Sequence, residues 1–236
     1  MGRLFKAGVG AIVFAGLFWA APGLAGAAGE CSGYADEPLV SLLQPPPCET
    51  CEETKAELAE LTALEASRTP AQADHAAKDA ERSLARFLAG AEISFDAEAL
   101  KGCEEFFVKR RKAETAALEA AKGAFCRHRP FATPGNDLHP LDSPSDSFSY
   151  PSGHSTYSAT TGFILARMMP EKSAAIYARI NDYAHSRMVA GVHFRSDIEA
   201  GKLYGSAIAN ALFAKPEIQA EFEAAKACIR KATGLE

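Results

Sequence analysis

The sequence predicts an all-α fold, built as a single compact helical domain. Three observations predict it: long stretches rich in Ala, Glu and Leu, no run of alternating strand-type residues, and connections that are mostly short. The 236 residues are 47% hydrophobic and 23% charged, a globular balance that excludes a disordered or fibrous chain. A formal charge of −5 argues against a nucleic-acid partner, because phosphate backbones require a basic face. A small anionic ligand needs only a few local cations and stays compatible with that balance.

The chain starts with Arg3 and Lys6, followed by an apolar stretch from Ala11 to Ala20, then Pro22 and the small residues Ala25-Gly26-Ala27. Basic start, apolar middle and small-residue end are the order of a secretory signal peptide, expected over residues 1–27, with the mature domain over 28–236. A retained membrane anchor is the alternative, and the shortness and glycine content of the run weigh against it. No later run approaches a membrane span. The expectation is an exported protein, periplasmic or secreted, with no stable membrane insertion once the signal is removed. All six cysteines lie beyond the signal, and an even number in an oxidising compartment favours disulfides, in a pairing the sequence leaves open. Cys48 and Cys51 form a lone C-x-x-C, read as structural because no second pair or histidine cluster completes a zinc set.

Helices are expected over residues 53–67 and 71–88, with Thr69-Pro70 as cap and first-turn proline of the second. Residues 96–125 continue in the same style, with Gly102 and Gly123 as candidate breaks. Residues 129–151 are rich in proline, serine and aspartate and must be loop. Helices return over 152–169, 171–188, 197–213 and 216–233. The charged stripes of the first helices read as solvated faces, and Pro45-Pro46-Pro47 as an extended arm lying on the domain.

Three clusters in the second half are not explained by packing. Lys122 is followed after six residues by Arg129-Pro130; Pro151-Ser152-Gly153-His154 stands where the loop becomes a helix; Ser186-Arg187 is followed by His193 and Asp197. A helix opening near Ser152 leaves unpaired N–H groups backed by the positive end of its dipole. Gly153 would let an anion approach, and the Ser152 hydroxyl adds a donor. Arg187 continues the apolar stripe of Ile176, Ile180 and Tyr183, so it is expected to point inward and to have an anionic partner, a carboxylate or a bound anion; the alternative is an arginine that snorkels outward at the helix end. His193 and Asp197, four apart, share a face if their helix starts early enough; a carboxylate on one imidazole nitrogen leaves the other with its lone pair. Gly201 and Gly205 inside that helix indicate a second helix packed against it, and Ser155, Ala159 and Gly162 supply a small-residue stripe.

Taken together, these clusters resemble the three-part motif of the PAP2 superfamily, and within it the class A bacterial non-specific acid phosphatases. The resemblance extends through Leu42-Leu43-Gln44-Pro45-Pro46-Pro47, Arg127-His128-Arg129-Pro130-Phe131, Ser149 to Ser155 and Gly191 to Asp197. It implies the helical PAP2 fold and a broad-specificity phosphatase for small phosphomonoesters. By this resemblance His193 is the nucleophile, Asp197 orients it, and His154 is the general acid and then the base. Lys122, Arg129, Ser152, Gly153 and Arg187 would bind the phosphoryl oxygens, with no metal and no cofactor required. A homodimer is implied by family habit. Departures are Phe148, where the class usually has glycine, and the acidic residues Asp137, Asp142 and Asp146 near the expected pocket mouth. Competing readings are a lipid phosphate phosphatase at a membrane surface, a vanadium-dependent haloperoxidase, and an inert exported anion-binding protein.

Overall fold

The computed structural model describes residues 38–142 and 145–236; the expected export signal and Cys31 lie outside them. Among the described residues there are nine α-helices and no strand. They are α1 (Glu52–Ser67), α2 (Pro70–Lys78), α3 (Leu84–Gly90), α4 (Ala97–Lys101), α5 (Glu104–Phe125), α6 (Gly153–Met168), α7 (Ser173–Val189), α8 (Arg195–Phe213) and α9 (Ile218–Ala232). The loop between α5 and α6 contains one short 3-10 turn at Pro130–Ala132.

Helix α6 is the central rod, buried on nearly every side, and it packs against both α7 and α8. Its many hydroxyls are tolerated there because they bond carbonyls of their own helix: Thr156 to Ser152, Ser158 to Ser155 and Thr160 to Thr156, at 2.9–3.0 Å. The small-residue stripe serves two partners. Ser155 and Ala159 meet α8, where a Cβ on Gly201 would stand 2.6 Å from the Ser152 carbonyl and one on Gly205 2.3 Å from that of Thr156. Gly162 meets α7, where a Cβ would stand 2.5 Å from Ile180. The α6–α8 contact is backbone against backbone, so it cannot relax by moving a side chain. Gly205→Ala is therefore expected to cost about 1–3 kcal/mol or more, as overpacking does, and thermal unfolding would read it. An unchanged midpoint would contradict the contact.

The structure differs from the sequence expectations at several points. The helix expected over 71–88 is two helices. Thr69 caps α2 and Pro70 opens it as anticipated, with Gln72 completing a capping box, but residues 79–83 leave the helix and Ser83 caps α3. The break is fixed by Asp79, fully buried, whose carboxylate binds Arg86 at 2.7 Å and Arg179 of α7 at 2.5 Å. Gly90 makes room for Arg179, since a Cβ there would stand 2.3 Å from the guanidinium. His75, Asp79 and Asp182 come within 4.8 Å of one another, but the two arginines already supply their positive charge.

The 96–125 segment breaks at Gly102–Cys103, whereas Gly123 stays helical. Cys103 is joined to Cys228 of α9, 125 residues away, a closure that constrains the unfolded chain by roughly 4–5 kcal/mol in the loop-entropy picture. Cys48 pairs with Cys51 just before α1, and no described cysteine is free. The charged stripe of α1 is not wholly solvated. Glu57 turns inward, accepting from Arg127 Nη2 at 2.8 Å and from the Ser196 amide at 2.6 Å. The 44–47 arm lies on the domain, with the Gln44 carbonyl accepting from the Tyr150 hydroxyl at 2.6 Å.

Candidate active site

His193 lies two residues before α8, so the shared helix face expected for His193 and Asp197 does not exist. They meet for another reason. Asp197 folds back to accept the Phe194 amide at 2.8 Å, capping α8, and the same Oδ2 lies 3.4 Å from His193 Nδ1. Ser149 donates to that oxygen at 2.5 Å and offers its own oxygen to Nδ1 at 3.3 Å. Arg127 donates to Oδ1 at 2.8 Å and stacks over the Phe194 ring. A carboxylate can only accept, so Nδ1 carries the proton. Nε2 faces Arg129 Nη1 at 3.1 Å; guanidinium can only donate, so Nε2 holds the lone pair. Neither Ser149 nor Arg127 was assigned a role from the sequence. Both fall within the stretches that carry the resemblance, but only contact with Asp197 reveals what they do.

Of the remaining predicted residues, Arg129, Lys122, His154 and Arg187 are close enough for their charges to act on His193. Arg129 also donates to the Val192 carbonyl at 3.0 Å and the Ser147 carbonyl at 2.9 Å, which fixes its reach. Lys122, at the last turn of α5 and buried, donates to the Phe148 carbonyl; the unusual Phe148 thus contributes backbone to the site. Ser152 caps α6, its oxygen accepting from the Ser155 amide and hydroxyl at 3.4 and 3.1 Å, which leaves its own proton to donate. The Ser152 amide is tied to the Asp197 carbonyl at 3.0 Å, fastening the start of α6 to α8. The first intrahelical donor is Thr156, so the Gly153 and His154 amides precede the ladder. Gly153 has a second use beyond anion approach, since a Cβ would stand 2.9 Å from Leu118 of α5 and 3.9 Å from Arg82.

Arg187 is fully buried, as its stripe required, and its anionic partner is a carboxylate: Nη1 donates to Asp142 at 2.7 Å. Its Nη2 donates to the Ala76 carbonyl. His154 Nε2 bonds the Ala80 carbonyl at 3.0 Å. A carbonyl only accepts, so Nε2–H is fixed and Nδ1 is the atom that takes up and hands on a proton. The 76–82 stretch is thus a wall of the site held by its carbonyls, with Glu81 accepting from Tyr183 and Arg82 from Arg111. No sequence signal marked it, because backbone carbonyls have no residue type.

Residues 113–219 match the PAP2 superfamily, and all eight predicted site residues fall inside that segment. This segment is a PAP2 superfamily domain. The chain is 32% identical over 113 residues to a non-specific acid phosphatase of Providencia stuartii, covering 47% of this chain and 46% of that protein. It is 36% identical over 84 residues to an acid phosphatase of Zymomonas mobilis, covering 36% and 32%. The matches therefore span less than half the length of these curated relatives. Among solved structures, a transmembrane PAP2-type phosphatidylglycerolphosphate phosphatase of Bacillus subtilis aligns with TM-score 0.54 at 19% identity, over 77% of this chain and 92% of that one. That likeness is one of fold. No helix among the described residues is long and apolar enough to cross a membrane.

The PAP2 domain concentrates positive charge around a buried histidine, and its titrations follow. Burial holds His193 well below the usual imidazole range, and Arg129, Lys122, His154 and Arg187 add to it. His154 is pushed down to about 3, by burial first and then by Arg187, against the Ala80 carbonyl. Lys122 is pushed down to about 7 by burial and Arg129. These are depressed bases, so the unfolded chain takes up protons first as pH falls. The histidines' contribution to stability is full above the unfolded imidazole value near 6.5 and declines below it, by up to about 1.4 kcal/mol per pH unit for the fully buried His193; that of Lys122 is full above about 10.5 and declines as pH falls toward 7. A dianion in the site would reverse the penalty. Sulfate, doubly charged throughout, is expected to raise the melting temperature more at pH 5 than at pH 8, at matched ionic strength. An equal shift at both values would contradict the charge cluster.

Proposed function

We propose that this chain is an exported, metal-independent phosphatase that hydrolyses phosphate monoesters with broad specificity through a phosphohistidine. The single observation that supports the reading best is His193, with Nδ1–H held against Asp197 and its Nε2 lone pair turned into a ring of Arg129, Lys122, Arg187 and His154. The partial matches to curated acid phosphatases support the same chemistry.

The phosphoryl group binds at the start of α6, its oxygens taken by Ser152, the Gly153 amide, Lys122, Arg129 and Arg187. Its charge offsets the cations that depress His154, so His154 gains a proton at Nδ1 as substrate binds. His193 Nε2 attacks phosphorus, the P–O bond to the leaving group breaks, and the alkoxide takes the proton from His154. Asp197 stabilises the positive charge developing on His193. Water then attacks the phosphohistidine, giving its proton to His154. The P–N bond breaks, phosphate leaves, and Nε2 recovers its lone pair.

The test is a panel of phosphomonoesters between pH 4 and 8 with and without chelator. Hydrolysis across several unrelated leaving groups, unaffected by chelator, supports the reading. Preference for a phosphatidate in detergent over a soluble nucleotide would move the substrate class to lipids, and loss of activity with chelator would overturn the metal-free chemistry.

A further inference from the structure

Arg187 has no unsatisfied nitrogen. Its Nη1 is bound by Asp142 at 2.7 Å, Nη2 by the Ala76 carbonyl, and Nε lies 3.4 Å from the Ser186 hydroxyl. Two of these partners are neutral and belong to the framework. The third is a carboxylate, only 23% exposed, and its charge also reaches Arg129. Asp142 therefore stands where two of the phosphate-binding cations can both feel it. It is not a loose surface group. The preceding residue, Leu141, donates its amide to the Ala190 carbonyl at 2.9 Å, and Pro140 packs against Gly191, whose φ of +74° lets the chain turn there.

Two other carboxylates near the site are committed elsewhere. Asp197 lies behind His193 and is held by Arg127, Ser149 and the Phe194 amide. Glu57 sits on the far side of Arg127. Among the described residues, Asp142 is the one carboxylate in an ion pair with a predicted phosphoryl ligand. A carboxylate offers two negatively charged oxygens in a plane, much as two oxygens of a phosphoryl group do, and guanidinium recognises both in the same way.

We propose that Asp142 is an internal competitor for the oxyanion site: it pairs with Arg187, and phosphate binds only by displacing it. This rests on the reading of the site given under Proposed function. The consequence is weaker binding of substrate and of product phosphate alike, so Asp142 sets the affinity of the site without touching the chemistry at phosphorus.

Asp142→Asn removes the charge while keeping shape and an acceptor for Arg187. The test measures binding of inorganic phosphate by titration calorimetry, KM and kcat on an aryl phosphate, and melting temperature with and without phosphate. Phosphate affinity is expected to rise about 10-fold or more, the size of effect that one removed close ionic competitor supports, with KM falling in step. The phosphate-free melting temperature should drop while the phosphate-induced rise grows. A purely structural role for Asp142 would lower the melting temperature and leave affinity equal or weaker, which overturns the proposal. Asp142→Ala, which removes the acceptor as well, should still bind phosphate more tightly than the parent; weaker binding in both variants likewise overturns it. If the parent chain hydrolyses monoesters but the Asn variant gains nothing, the competitor fails and the phosphatase stands. If neither chain binds phosphate, the site reading falls and this inference with it.

Discussion

His193→Ala is expected to abolish turnover, lowering kcat by at least about 10⁴-fold, because on this reading His193 Nε2 is the atom that forms the bond to phosphorus. The fold should survive. The ring is buried but its partners, Asp197 among them, are held by Arg127, Ser149 and the Phe194 amide whether or not the imidazole is there. Chain incubated with a phosphate-labelled monoester and denatured in alkali, where a P–N bond persists, should retain label, and the Ala variant should retain none. Label that survives His193→Ala would place the covalent step on another residue. Label absent from an active parent would replace the double displacement with direct attack by water.

His154→Ala should lose activity in proportion to the basicity of the leaving group. An alkoxide cannot depart without a proton, so glycerol or sugar phosphates should slow by about 10²–10⁴-fold, the usual worth of general acid catalysis. A nitrophenolate departs unassisted, so its first step should slow far less, leaving water attack on the phosphohistidine as the bottleneck and raising the labelled fraction at steady state. Equal losses across leaving groups would assign His154 to binding instead. The Ala80 carbonyl sharpens the expectation, since it holds Nε2–H and commits Nδ1 to the exchange. Because burial and Arg187 drive His154 down to about 3 and the bound phosphoryl group must raise it before it can donate, the alkaline limb of kcat, on which His154 loses that proton, should lie well above that value.

Much of this was legible in the sequence, and the reasons are specific. Gly201 and Gly205 announced a close helix contact because glycine in a helix interior is costly unless something needs the space, and α6 does. Arg187 announced an anion because a guanidinium in an apolar stripe cannot stay unpaired, and the partner is Asp142. The motif residues announced a pocket because they differ in type from what packing requires. What stayed hidden was tertiary. Asp79 breaks a segment whose composition is helical, since its pairing with Arg86 and with the distant Arg179 outweighs local propensity. His193 and Asp197 meet through a helix cap rather than a helix face, which spacing alone cannot distinguish. Glu57 looks like any exposed glutamate of an amphipathic helix until Arg127 is placed beside it.

The recognisable domain begins at residue 113, yet three of its working groups are steadied from upstream of that point: Arg187 by Ala76, His154 by Ala80, and Arg127 by Glu57. Residues 57–80 are therefore a brace, not an appendage. A fragment cut to the signature alone would keep every motif letter and lose the scaffolding that gives those letters their orientation.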